Sequence, residues 1–137
     1  MKRIWIVLLA ISLLVSCGGN SKNKPLDASY DEDKVKTKAT EVIEATAVED
    51  WEKIRGICSE ETRAALTDEV LKKVSDEVLS KLGKLEEIKE MQTMDLVRKG
   101  SEVHYALVIA KVKFENKEMI FTLSFNPKME MVNYFMK

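Results

Sequence analysis

The chain is short of the residues on which most site chemistry depends. It has two cysteines and a single histidine in 137 residues. With its carboxylates scattered among lysines, it offers no convergent set of metal ligands, so neither a metal nor any other cofactor is expected. No Gly-rich phosphate loop and no nucleophile elbow occur, which leaves nucleotide binding and serine-hydrolase chemistry without a motif. Neither charge is in excess: 22 Lys+Arg face 23 Asp+Glu, and the two signs are interspersed. Binding to phosphate backbones needs a concentrated basic surface, so nucleic acid is not an expected partner. No apolar run reaches the roughly 18 residues of a membrane-spanning helix. Length and a hydrophobic content of 45% suit one small globular domain.

What is present begins at the N-terminus. Lys2 and Arg3 precede an apolar run at residues 4–15, broken only by Ser12, and Ser16-Cys17-Gly18-Gly19 follows. A helical run of that length rises about 18 Å against a hydrocarbon core of about 30 Å, so the layout is that of a secretion signal. Leu14-Val15-Ser16-Cys17 resembles the lipobox of bacterial lipoproteins. That resemblance implies cleavage between Ser16 and Cys17, a diacylglycerol thioether on Cys17, and acylation of the new N-terminus. The competing reading is an ordinary signal, or an uncleaved anchor, that happens to end at Cys17. Two or three acyl chains, at about 0.8 kcal/mol per buried CH₂, hold far more firmly than one. The expected location is therefore the cell membrane, lipid-anchored and extracytoplasmic, with the membrane as partner through Cys17. In a Gram-negative cell the lack of Asp after Cys17 would imply the outer membrane. Residues 18–29 are polar and rich in breakers, and read as a tether with a reach of roughly 20 Å. The expected division is a signal at 1–16, lipidated Cys17 and tether at 17–29, and a domain at 30–137. Losing Lys2 and Arg3 leaves 20 Lys+Arg against 23 Asp+Glu, a net charge of -3.

The domain divides by its periodicity. Asp31-Glu32-Asp33 suits a helix start, and Val35, Ala39, Val42, Ile43, Thr46 and Ala47 then recur at helical spacing over 32–48. A short helix over 50–57 carries Trp51, Ile54 and Ile57, and Ser59 is a candidate N-cap ahead of Glu60 and Glu61. Leu66, Val70, Leu71, Val74, Val78, Leu79 and Leu82 form an apolar stripe, with a restart at Thr67-Asp68-Glu69 and a stop at Gly83. Four strands follow, at 86–98, 102–114, 118–126 and 129–136, separated by turn-like segments at 99–101, 115–117 and 126–128. Short links imply an antiparallel meander. The third strand alternates cleanly, with Met119, Phe121, Leu123 and Phe125 on the face that helices should cover. The second is apolar on both faces at residues 106–110, which predicts a central strand covered on each side. The expected fold class is α+β, N-terminal helices packed on a four-stranded antiparallel sheet.

This order resembles the NTF2-like, cystatin-like cone, in which helices close one side of a curved sheet and leave a pocket. Trp51-Glu52-Lys53-Ile54 with Cys58-Ser59-Glu60-Glu61, then residues 65–71, then Leu82-Gly83-Lys84-Leu85 resemble the bacterial DUF3887 family over about residues 35–136. Cys58 and Leu85 stand where that family usually has aromatics. The resemblance implies a fold and no chemistry.

Candidates for chemistry are few. With Cys17 lipidated, Cys58 has no intramolecular partner, and it reads either as a small buried hydrophobe or as a reactive or intermolecular thiol. Some NTF2-like enzymes place a carboxylate base and a Tyr or His donor inside the cone, for which Asp95, His104 and Tyr105 are the candidates. Neighbouring strand residues point to opposite faces, so His104 and Tyr105 cannot share one pocket. The methionines of the mature chain cluster in the strands with aromatics. Met91, Met94, Tyr105, Met119, Phe121, Phe125, Met131 and Phe135 either fill an irregular core or form a pocket or contact face for an apolar ligand, a peptide or a second copy. The expected function is a membrane-anchored lipoprotein whose domain binds a ligand, peptide or protein partner without catalysis. The alternatives are an isomerase or hydrolase with an acid/base pair in the cone, and an envelope protein that dimerises through its sheet face.

Labelled palmitate fed to cells should enter the wild-type protein and not a Cys17→Ser variant. Continued labelling of that variant would refute the anchor.

Overall fold

In a computed structural model of the chain, which describes residues 25–137, the first helix starts at the acidic run. The signal, Ser16, Cys17 and the first part of the tether lie outside the described residues. Asp31 caps α1 (Glu32–Ala47) by accepting from the N–H groups of Asp33 and Lys34, and Glu32 and Asp33 complement the helix dipole. Val35, Ala39, Val42, Ile43 and Thr46 are fully buried along one stripe. Asp50 caps α2 (Trp51–Ile57), Ser59 caps α3 (Glu60–Ala65), and Thr67 caps α4 (Asp68–Val74). The expected restart at Thr67 is thus a cap. Beyond α4 the chain continues through a π-helical turn at Ser75–Leu79 into a last turn at Ser80–Leu82. Helical spacing alone does not announce that wider turn.

Gly83 ends the helix at φ 80°, ψ -160°, a region that residues with a Cβ almost never enter. A Cβ there would lie 2.8 Å from Glu115 Oε1 and 2.9 Å from Glu115 Cβ. The reason for the crowding is that the Gly83 corner is tied to the loop between the second and third strands. Lys84 N–H donates to Glu115 Oε1 at 2.7 Å, and Asn116 N–H donates to the Leu82 carbonyl at 2.9 Å.

Four strands follow: β1 (Leu85–Val97), β2 (His104–Phe114), β3 (Glu118–Phe125) and β4 (Met131–Met136), in that spatial order and antiparallel throughout. Each boundary falls within two residues of its expected place. The fold is α+β, helices packed on a four-stranded antiparallel sheet, consistent with an NTF2-like cone. The core lies between the helices and one sheet face. Met119, Phe121, Leu123 and Phe125 of β3 are buried as their alternation predicts, beside Ala106, Val108, Ala110, Val112 and Phe114 of β2. The register sets small against large: Ala106 faces Phe125 and Ala110 faces Phe121. Such alternation lets two layers interdigitate without voids.

One expectation needs correction. The second strand is central, yet only one of its faces is buried; Leu107 and Ile109 are half-buried on a side that no described helix covers. The apolar run therefore marks a bare sheet face and not a second covering layer. The chain around residue 30 is tied to the fold as well. Leu26 packs against the core, and the Tyr30 hydroxyl donates to the His104 carbonyl at 2.6 Å, with the Phe125 carbonyl 3.3 Å away.

Gly83→Ala should cost about 1–3 kcal/mol of stability, from the positive φ and the crowding against Glu115. Urea unfolding measures this, and an unchanged midpoint would contradict it.

Candidate binding face

The interior of the fold is filled. Met119, Phe121, Phe125 and Met131 are at most 5% exposed, and the Phe114 and Phe121 rings stack with centroids 6.4 Å apart. Met91 is half-buried on the same side, where it, Trp51 and Tyr134 pack against both halves of the core. Met91, Met119, Phe121, Phe125 and Met131 thus follow the core-filling alternative. One polar contact lies among them. Thr46 Oγ1 donates to the Val42 carbonyl at 2.8 Å, so the Tyr134 hydroxyl is the donor in its short bond to Thr46 Oγ1. Burial pushes the Tyr134 phenol up to about 12 despite that bond.

The remaining members of the set lie on the opposite face. Register places Met94 beside Leu107, Leu96 beside Tyr105, Ile109 beside Thr122, and Thr122 beside Phe135. All are half-buried except Phe135, which is 66% exposed. Together with Ile120 they form an apolar surface on the uncovered side of the sheet, interspersed with Gln92, Thr122 and Ser124. One end of it is charged with both signs. Glu87 pairs with Lys113 and Glu90 with Lys111, and Lys89 Nζ lies 2.7 Å from Glu118 Oε2. That last pair holds the Glu118 carboxyl below its usual range and the Lys89 ammonium above it. At the other end the Arg98 guanidinium sits 5.0 Å over the Tyr105 ring. Sequence reasoning named Met94, Tyr105 and Phe135 as candidates. It missed Leu96, Leu107, Ile109 and Ile120, whose signal was the two-sided apolar run of β2.

Asp95 and His104 do come together. Both sit on the helix-side parity of the sheet, as diagonal neighbours across the β1–β2 ladder, where Val97 pairs with His104 and Asp95 with Ala106. His104 Nδ1 lies 2.9 and 3.0 Å from the two Asp95 carboxylate oxygens and 3.6 Å from Asp27 Oδ1. Carboxylates only accept, so Nδ1–H is the donor to Asp95. The Asp95 side chain is 8% exposed, the imidazole 45%. Asp27 is held below its usual range chiefly by the Ser29 hydroxyl and N–H, with His104 a smaller contributor. Tyr30 is pushed up to about 12, first by burial and then by the charges of Asp27 and Asp95. Tyr105 projects from the other face, as strand alternation requires. Asp95 and His104 therefore join the incoming chain at Asp27 to the end of the sheet.

Surface hollows among the described residues include two near the helices. One, of about 410 Å³, is lined by Asp33, Lys34, Thr37, Lys38 and Glu41 of α1 and by Met129. The other, of about 280 Å³, runs between α3 and β4. Asp95 and His104 line neither. Cys58 is 1% exposed, and burial pushes its thiol up to about 11 even though the Arg63 guanidinium nearby opposes this. That is an inert environment for a thiol. Among the described residues no group of three or more His, Cys, Asp or Glu could hold a metal ion, and no helix is long and apolar enough to cross a membrane.

A family model described as "Protein of unknown function (DUF3887)" matches residues 39–133. A comparison with curated proteins finds no match. Among solved structures, the chain is similar to one titled "NMR structure of protein from Ruminococcus gnavus ATCC 29149", with a TM-score of 0.71 and 23% identity, covering 82% of this chain and 96% of that one. The likeness is one of fold.

The raised acids predict alkaline instability. Cys58 moves from 9.0 to about 11 on folding, and Tyr30 and Tyr134 from 10.0 to about 12, so the folded protein keeps protons that the unfolded chain gives up. Their contribution is complete below about pH 9 and is lost as pH rises toward 12. Urea midpoints should fall over that window, with a shallower fall for Tyr134→Phe. A flat or rising wild-type midpoint would contradict this.

Proposed function

The chain belongs to the DUF3887 family, and from the one-sided cover of its sheet we propose that it is a lipid-anchored, extracytoplasmic binding module that docks a protein or peptide partner and carries out no chemistry. The observation that carries this reading is the bare face of Met94, Leu96, Tyr105, Leu107, Ile109 and Ile120, rimmed by charges at one end and by Arg98 at the other. An apolar centre inside a polar rim is the usual anatomy of a contact surface. Met94 adds adaptability, and Tyr105 an amphipathic ring suited to interfaces. The filled interior favours the reading as well, because a ligand inside an NTF2-like cone would need space that Phe121, Phe125 and Met131 occupy. Asp95 and His104 act on this view as a clasp for the Asp27 segment. Leu26, docked on the core, is nine residues from Cys17 in the sequence, which would keep the domain near the membrane surface.

A photoreactive residue placed at Leu107 should form adducts with another envelope protein in cells, and Ile109→Glu in the same chain should abolish them. The same probe at Lys73, on the solvated side of α4, should form none. Absence of adducts at Leu107, or adducts of equal strength at Lys73, would overturn the proposal.

A further inference from the structure

The two outer edges of the sheet are built differently. On β1, Glu86, Glu87, Lys89 and Glu90 crowd the first half, and two register shifts interrupt it, between Leu85 and Glu87 and between Ile88 and Glu90. Farther along, the Thr93 hydroxyl donates to Glu32 of α1. Charges and bulges of this kind keep an edge from pairing with another chain. In β4 the run Met131-Val132-Asn133-Tyr134-Phe135-Met136 carries no charge at all. Its irregularity is at the Met131 end, opposite Ser124 and Phe125, where the Met131 carbonyl also accepts from the Ser59 N–H at 3.0 Å and the Val132 carbonyl from the Thr62 hydroxyl at 3.3 Å, so the open stretch of the edge begins beyond Val132.

The phase of the ladder identifies the groups that face outward. Ile120 and Lys137 exchange both of their main-chain bonds, at 3.0 and 2.9 Å. Alternation then makes Thr122–Phe135 and Ser124–Asn133 bonded pairs as well, and turns the N–H and C=O of Tyr134 and Met136 away from β3. Beside that edge runs the 280 Å³ groove, with Glu61, Thr62, Ala65 and Leu66 of the α3 segment as its far wall. Phe135, the most exposed aromatic on the bare face, stands between the two outward-facing residues.

We propose that two copies of the chain associate edge to edge, β4 against β4 and antiparallel about a two-fold axis, to make one continuous eight-stranded sheet. Tyr134 of each copy lies opposite Met136 of the other, so four main-chain hydrogen bonds form. The two Phe135 side chains then face each other on the axis as a non-bonded pair, the closer of the two pair types. A second copy suits this edge because the edge is complementary to itself. In this register Lys137 of one copy comes opposite Asn133 of the other, beside Glu61 in the groove, and the same match repeats across the axis. The two bare faces join at the paired Phe135 rings, which doubles the width of the surface offered to a partner. The pairing stands on the β4 edge and not on the docking reading above, and the two are tested at different residues.

The full chain in detergent should sediment as a dimer, and Phe135→Lys, which sets like charges on the axis, should sediment as a monomer with an unchanged circular dichroism spectrum. In a Cys17→Ser background, Phe135→Cys should form a disulfide-linked dimer under mild oxidation. Asn133→Cys should not, because its two copies would lie about 13 Å apart along the strands. A monomeric wild type would overturn the proposal. So would a disulfide at Asn133→Cys or Ile109→Cys in place of one at Phe135→Cys, since either would mean a different register or a face-to-face dimer.

Discussion

A four-stranded sheet with helices on one side must leave half of its side chains on the other, and the architecture of this protein follows from how the covered half is filled. The helix stripe of Val35, Ala39, Val42, Ile43 and Thr46 meets a strand face in which Ala106 and Ala110 of β2 stand beside Phe125 and Phe121 of β3. The alanines leave room for the rings, and the rings take the space that would otherwise be a pocket. Truncating a buried Phe to Ala typically costs about 3–5 kcal/mol, so side chains of this kind dominate the stability of a domain this small. Emptying the cone to admit a ligand would forfeit contacts of that size. The same economy of cover leaves Leu107 and Ile109 half-bare on the far side.

Polar contacts arrange themselves around this filled layer. Thr46 is fully buried inside α1, and its hydroxyl is satisfied twice, by the Val42 carbonyl and by Tyr134. That second bond ties the helix to the last strand across the core. Tyr30 does the equivalent at the other end, reaching the carbonyls of His104 and Phe125 and closing the chain entry over the sheet. Asp95 and His104 extend that closure outward to Asp27. What resembles an acid/base pair in the sequence thus sits among docking contacts, while Tyr105 takes part in the bare face under Arg98.

Local signals in the sequence read through to the structure where one residue decides an outcome by itself. Asp31, Ser59 and Thr67 cap helices because a short side-chain oxygen can reach the N–H groups that a helix start leaves unpaired. Gly83 stops the helix because its backbone angles admit no Cβ, and β3 buries Met119 to Phe125 because strand alternation leaves no other choice. Signals that depend on distant partners were not legible. The meeting of Asp95 with His104 requires the register of the β1–β2 hairpin, with its bulges, and Leu26 reaches the core only because the sheet end lies beneath it. The apolar run of residues 106–110 was ambiguous in itself, since a strand covered on both faces and a strand with one bare apolar face have the same composition. Only the number of helical layers tells them apart.

A bare apolar face and an uncharged edge are ordinarily liabilities, and here they adjoin each other at Phe135, while the charged stretch lies on the opposite edge strand. Natural sheets spend charge and irregularity where pairing would be harmful, as β1 does with Glu86, Glu87, Lys89 and Glu90. Leaving the Asn133–Met136 stretch of β4 without charge, while Phe135 stands there at 66% exposure, is coherent if that stretch has an occupant. An anchor on Cys17 would work in the same direction, because confining two copies to one membrane raises their effective concentration, as a linker does for tethered modules. Confinement of that kind would add to the four main-chain hydrogen bonds and the paired Phe135 rings that hold the edge pairing on their own.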